Sequence, residues 1–294
     1  MPCRNYLSLG DGIDVLESHD WDQALAPPCP STHYITITIT ITMSTTNVLI
    51  TGANRGVGLA FLQTYLAQPN HIVIGSVRDI ARSSNLNDLP VALGSKLVLV
   101  KIESSSFSDP AEAVGELKAL GISRLDIVIA NAGVAGGAVV PATNGDADDF
   151  LNTLAINAVG PLALFAATWP LLEQAVKPKW VSISSAVASL ANHEAMFAGM
   201  GGRPMGAGYG ASKAALNHLS LNIHSENPKL TVLVVDPGFL DTDMGNRGAK
   251  ILGIEKPPHN AGDNAKAMVK LVDAATRETH SGKFWTFDSK EVPW

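Results

Sequence analysis

The stretch Asn47 to Gly58, NVLITGANRGVG, constrains this chain more than any other. Val48, Leu49 and Ile50 form a short apolar run without alternation, the pattern of a central parallel strand covered on both faces. Gly52, Gly56 and Gly58 follow. Glycine there removes side chains where the backbone must turn tightly, approach a diphosphate and pack a new helix against the sheet. The free amides of that helix N-terminus hold anions. No Gly-Lys-Ser/Thr follows, so this is not a nucleoside-triphosphate loop.

Beyond this turn, strand-like runs alternate with helical ones, which argues for a parallel sheet. A helix from Gly58 to roughly Ala67 is closed by Pro69, and His71–Val77, Leu97–Val100 and Leu125–Ala130 read as the next strands. Asp109 and Pro110 open a helix as N-cap and first-turn proline, and Gly121 closes it. A long helix around Phe150 to Ala167 precedes a strand at Trp180–Ile183. A helix from Tyr209 to about Ser225 leads to Thr231–Val235, and Phe284–Phe287 is a candidate seventh strand. Right-handed crossovers place helices on both faces. The expected fold is therefore α/β, a single Rossmann-type doubly wound parallel sheet of about seven strands.

With 46% hydrophobic residues in 294, the chain has apolar material for one large core in residues 43–294. Residues 1–42 differ: they carry Pro27-Pro28-Cys29-Pro30 and then the Ile-Thr repeat of 35–42, and are expected to be a low-complexity leader, disordered or not native to the protein. A net charge of -6 without a Lys/Arg-rich run argues against nucleic-acid binding. Cys3 and Cys29 both lie in that leader, so the domain has no cysteine for a disulfide or a metal, which fits a reducing cytoplasm. No apolar run is read as reaching the ~20 residues of a membrane helix.

Arg78 ends the second strand, where the ribose of a dinucleotide bound across the glycine-rich turn would lie. A guanidinium binds a 2′-phosphate in bidentate fashion, whereas an acid binds the free hydroxyl. With Arg55 as a second cation this predicts NADPH over NADH, although Asp79 follows directly and is placed for the hydroxyl role. Tyr209 and Lys213 lie four residues apart, on one helical face. An unperturbed phenol ionises near ~10, so Lys213 is expected to stabilise the phenolate and lower that value. Ser185, at the end of the fifth strand, can hydrogen-bond a carbonyl oxygen that Tyr209 protonates.

From Met43 to Trp294 the chain resembles the short-chain dehydrogenase/reductase family. The matching pieces are Thr51-Gly-Ala-Asn-Arg-Gly-Val-Gly58, Asn131-Ala-Gly133, Asn157, Ser185, Tyr209-x-x-x-Lys213, and Pro237-Gly238 followed by Thr242. The resemblance implies a catalytic set of Asn157, Ser185, Tyr209 and Lys213, with Asn157 holding a water that links to Lys213. It implies cofactor contacts from Thr51, Gly52, Asn54, Arg55, Gly56, Val57 and Gly58, and from Arg78, Glu103, Asn131, Ala132 and Gly133. At the nicotinamide end it implies Tyr209, Lys213, Pro237, Gly238 and Thr242. Glu103 stands where aspartate is usual and Ala188 where glycine often follows the paired serines. Within the family the chain is most similar to fungal norsolorinic acid ketoreductase-like and sniffer-type carbonyl reductases, in Val77-Arg-Asp79, in PGFLDTDMGNRGA and in the ending GKFWTFDSKEVPW.

The resemblance implies an NADP(H)-dependent ketoreductase acting on an aromatic or polyketide-like ketone in secondary metabolism, self-associated as homodimer or homotetramer, without a metal. Two other readings are an NADP-dependent secondary-alcohol dehydrogenase and a non-catalytic NADP(H) sensor. The sensor reading fits poorly with a chain that keeps both Tyr209 and Lys213. The stretch between Ser185 and Tyr209 is longer than the family's usual connection, and it and the segment from Phe239 to Pro258 are the two candidate lids. His193 is left outside the site.

Overall fold

The computed structural model describes residues 45–204 and 206–294. The leader therefore lies outside the described residues. The order of elements is β1 (Thr46–Ile50), α1 (Gly56–Leu66), β2 (His71–Val77), β3 (Lys96–Lys101), α2 (Asp109–Ala119), β4 (Ile127–Ala130), α3 (Ala147–Leu154), α4 (Gly160–Leu172), β5 (Lys179–Ile183), α5 (His193–Gly199), α6 (Ala207–Glu226), β6 (Thr231–Asp236), α7 (Asp243–Leu252), α8 (Ala261–Ala274), β7 (Lys283–Thr286) and β8 (Glu291–Val292). The strands form one sheet in the order β3-β2-β1-β4-β5-β6-β7-β8. All neighbours are parallel except β7 and β8. The two-residue β8 is an addition to the seven strands expected. Ser289, at positive φ between β7 and β8, reverses the chain so that Phe284 pairs with Val292.

Side chains alternate along each strand, so the sheet feeds a core on each face. Val48 and Ile50 face one core, with Phe61, Leu62 and Tyr65 of α1 and Met268, Val269 and Val272 of α8. Leu49 faces the other, with Leu117 of α2, Leu164 and Leu171 of α4, and the fully buried Trp180. β1 lies between β2 and β4, so its carboxyl end opens where the strand order reverses, the place where such sheets bind ligands.

Three local expectations change. Ser108 occupies the N-cap of α2, and Asp109 is its first residue. The Asp109 carboxylate instead accepts the Glu103 amide at 2.9 Å and the Ser106 hydroxyl, and pairs with Lys101 at 3.3 Å. Those bonds hold its pKa below the usual aspartate value. The long helix begins at Ala147, because Asp146 caps it by accepting the amides of Asp148 and Asp149. It then passes through a π-turn at Ala155–Val159 before continuing as α4.

Counted through that turn, Ala147–Leu172 runs 26 residues and is long and apolar enough to cross a membrane. This corrects the expectation that no run reaches such a length. Isolated polar residues, Thr153 and Asn157 among them, break the apolar pattern in the sequence. Both are fully buried within the fold.

Candidate active site

The glycine-rich turn is fixed from beneath. The Thr51 hydroxyl accepts the amides of Asn131 and Ala132, each at 3.0 Å, while the Asn131 side chain donates to the Thr51 carbonyl at 2.8 Å. This joins the ends of β1 and β4. Gly52 and Gly56 have φ of +66° and +54°, a region that favours glycine. Gly58 is required for packing: a Cβ there would stand 2.1 Å from the Gly52 carbonyl oxygen. The turn therefore presents bare backbone to a cleft lined by Gly52, Asn54, Arg55, Gly56 and Val57.

One end of the cleft is cationic. Arg78 and Glu103 face each other across the ends of β2 and β3, with Nε and Oε2 3.8 Å apart. Arg55 reaches Asp243, at the start of α7, at 3.4 Å. Asp79 is used elsewhere, accepting the Arg82 amide at 3.1 Å and pairing with the Arg82 guanidinium at 3.3 Å. It is absent from the cleft lining, so the expected competitor of Arg78 is turned away. Arg247, one turn along α7 from Asp243, lines the cleft as well.

At the other end, β4, β5 and α6 converge on a small polar group. The π-turn brings Asn157 inward, where its amide donates to the Val134 carbonyl at 2.8 Å and to the Ser212 hydroxyl at 2.9 Å, and its oxygen accepts the Val134 amide at 2.9 Å. Lys213 is buried, and its ammonium donates to the Ile183 carbonyl at 2.7 Å and sits 5.9 Å from the centre of the Tyr209 ring. Burial pushes its pKa down to about 8.

Burial pushes the Tyr209 phenol up to about 12, against the smaller lowering that Ser185 contributes. The expected lowering of the phenol by Lys213 is thus reversed in the chain alone. The half-buried ring is poorly solvated and the ammonium is committed to a backbone oxygen.

Of the expected contacts, Arg78, Glu103, Asn131, Ala132, Gly133, Tyr209, Lys213, Pro237 and Thr242 line the cleft with the five turn residues. Thr51, Gly58 and Gly238 support it from behind; a Cβ at Gly238 would press on Phe287 at 3.0 Å and Asn264 at 3.1 Å. Asn157 is fully buried behind Gly133. Ser184, Ile156, Met244 and Arg247 also line the cleft and were not foreseen. For the last two the signal was the lid-candidate segment that became α7. Among the described residues, no three His, Cys, Asp or Glu side chains come together as a metal site.

Glycine-rich turn, switch-point cleft and the Ser185, Tyr209 and Lys213 group define a dinucleotide-type oxidoreductase architecture. Residues 46–250 match the short chain dehydrogenase family, and the chain belongs to it. It is 43% identical over 255 residues to the short-chain dehydrogenase srdF of Neurospora crassa, covering 85% of this chain and 98% of that one. It is 39% identical over 254 residues to the norsolorinic acid ketoreductase nor1 of Dothistroma septosporum, covering 85% and 92%. The NADPH-bound carbonyl reductase from chicken fatty liver superposes with a TM-score of 0.72 at 26% identity, over 86% of this chain and all of that one.

Proposed function

We propose that the chain is an NADPH-dependent ketoreductase acting on an aromatic or polyketide-like ketone in secondary metabolism. The observation that carries this reading is a single cleft lined by Tyr209 and Lys213 and by Arg55 and Arg78, with Ser185, itself outside the cleft lining, acting on Tyr209. The residues fit the cofactor: side-chain-free backbone at Gly52 and Gly56 faces the cleft, and the guanidinium groups of Arg55 and Arg78 in its lining supply the kind of charge a 2′-phosphate would need. The chemistry NADPH would supply when bound is hydride donation to the carbonyl carbon.

The chain's own part is to bind, orient and protonate. Ser185 and Tyr209 form a hydroxyl pair for one carbonyl oxygen, polarising it and holding it in place. With a pKa of about 12, Tyr209 holds its proton at neutral pH, the state from which an acid for reduction starts. Lys213 is the nearby cation that stabilises the phenolate once the proton has left, and Asn157 braces the floor beneath it. The 39% identity to a norsolorinic acid ketoreductase supports the substrate class.

The test is NADPH consumption by the full-length protein against a panel of aromatic and aliphatic ketones, alongside Tyr209→Phe. Turnover on aromatic ketones that falls by at least ~100-fold in the variant supports the reading. Turnover that survives the substitution, or NADPH binding without turnover on any ketone, counts against it.

A further inference from the structure

Of the cationic side chains in the cleft lining, all but one are engaged. Arg55 pairs with Asp243 at 3.4 Å, Arg78 with Glu103 at 3.8 Å, and the Lys213 ammonium donates to the Ile183 carbonyl at 2.7 Å. The remaining one is Arg247 of α7. Asp243, four residues before it on the helix, has the spacing of an intrahelical ion pair with Arg247, but its carboxylate reaches across to Arg55 instead. Among the described residues, no other carboxylate pairs with Arg247.

α7 starts against the glycine-rich turn. Besides the pair of Arg55 with Asp243, a Cβ at Gly56 would stand 3.5 Å from the Thr242 methyl, so the cap of α7 rests on the turn that opens α1. The direction of the helix is set locally. The Thr242 hydroxyl accepts the Gly245 amide at 3.2 Å, the Asn246 side chain donates to Asp241 at 2.8 Å, and the Asp241 amide donates to the His259 carbonyl at 2.8 Å. Asp243, Met244 and Arg247 all line the cleft, as residues three and four apart on a helix can. Arg247 lies only ~6 Å farther along the helix axis than Asp243, a rise that an arginine side chain spans.

We propose that Arg247 is a cofactor-binding residue that holds the diphosphate from the α7 side, opposite the bare backbone of Gly52 and Gly56. The inference rests on the NADP(H) reading of the cleft and adds a residue to it. A diphosphate is doubly negative, and where the glycine-rich turn offers it amides, Asp243 brings a carboxylate to the same place. Arg55 and Asp243 offset one another, so the net positive side chain here is Arg247. Its planar fork suits two phosphate oxygens. The 2′-phosphate is the poorer partner, since α7 abuts the glycine-rich turn whereas Arg78 stands past the end of β2.

The experiment compares the full-length protein with Arg247→Met and Arg247→Lys by fluorescence titration of NADPH and NADH. Two competitors of NADPH complete it: ADP-ribose, which has the diphosphate without the nicotinamide, and adenosine 2′-monophosphate, which has no diphosphate. No turnover is needed. In Arg247→Met, NADPH, NADH and ADP-ribose should each bind about 5- to 30-fold more weakly, while adenosine 2′-monophosphate binds as it does to the parent. Arg247→Lys keeps the charge and should recover most of the loss. Arg247 is exposed, so neither variant should move the urea midpoint of the free protein.

A Met variant that binds the three diphosphates as tightly as the parent overturns the proposal, as does a Lys variant no better than Met. A loss confined to NADPH and adenosine 2′-monophosphate would move Arg247 to the 2′-phosphate, and a loss that spares ADP-ribose would move it to the nicotinamide half; either overturns it. A parent protein that binds none of these compounds overturns the cofactor reading itself, and the proposal with it.

Discussion

The side-chain amide of Asn157 donates to the Ser212 hydroxyl at 2.9 Å, joining the π-turn to α6 one residue before Lys213. The same amide donates to the Val134 carbonyl, and its oxygen accepts the Val134 amide, so one buried side chain fixes three parts of the cleft floor. The extra residue of the π-turn aims Asn157 inward, a use of such turns that recurs at functional sites. Replacing Asn157 by alanine leaves the Val134 amide and carbonyl without their side-chain partner. We expect a loss of about 2–4 kcal/mol in denaturant unfolding. Ser212→Ala should cost about 1 kcal/mol, with the double variant costing less than the sum because the pair is coupled.

Lys213 makes the stability of the cofactor-free protein depend on pH in a defined window. Its folded pKa of about 8 is below the ordinary lysine value of 10.5, so between these values the unfolded chain binds more protons than the folded one. Stability should therefore rise with pH from 8 toward 10.5, and the contribution is lost as pH falls through 8. Tyr209 acts oppositely only later: its folded pKa of about 12 exceeds the ordinary 10.0, so its contribution is lost as pH rises through 10 to 12. From pH 8 to 10, the gain should be about 2 kcal/mol and should vanish in Lys213→Met. Urea unfolding at those two pH values checks it, and a flat profile in the parent chain would contradict the account.

Arg78 and Glu103 present a competition that cofactor binding must resolve. Glu103 pulls the guanidinium toward a carboxylate 3.8 Å away, at a site where 70% of the Arg78 side chain is exposed. A 2′-phosphate would have to draw Arg78 from that partner. Arg78→Ala should weaken NADPH binding by about 1.5–3 kcal/mol, leave NADH nearly unchanged and flatten the salt dependence. Glu103→Gln removes the competitor, so NADPH should bind more tightly than to the parent. Fluorescence titration of both cofactors with each variant gives the answer; equal losses for NADPH and NADH in Arg78→Ala would refute the assignment.

These residues also mark how far the sequence could be read. The strand ends and the glycine-rich turn were visible because apolar runs and missing side chains leave a local signature, as at Val48–Ile50 and Gly52–Gly58. Tyr209 and Lys213 were visible because helical spacing alone puts them on one face. Long-range geometry was not. Asp109 looks like a cap and instead holds the Glu103 amide, because the loop back from β3 needed an acceptor. Asp79 looks like a cofactor residue but is drawn off by Arg82, three positions along. The π-turn has no composition of its own, and Arg247 gained access to the cleft only when its segment folded as α7.

The outer face of the α3–α4 helix is where we expect self-association. Leu151, Val159 and Leu162 are 61%, 38% and 48% exposed. Leu151 and Val159 are eight residues apart, but the π-turn at Ala155–Val159 takes up one residue, so the spacing acts as about two helical turns. Leu162 follows three residues on, so helical spacing lets the three exposed side chains share one apolar stripe, while Asn157 is fully buried. A second copy of the same stripe is a matching cover under two-fold symmetry. We expect the full-length protein to sediment as a multiple of its 30.8 kDa chain mass. Leu162→Glu should shift it to the monomer without loss of helical circular dichroism, because burying an unpaired carboxylate in the interface costs several kcal/mol. A parent protein that is monomeric at micromolar concentration would remove this face from consideration as an interface.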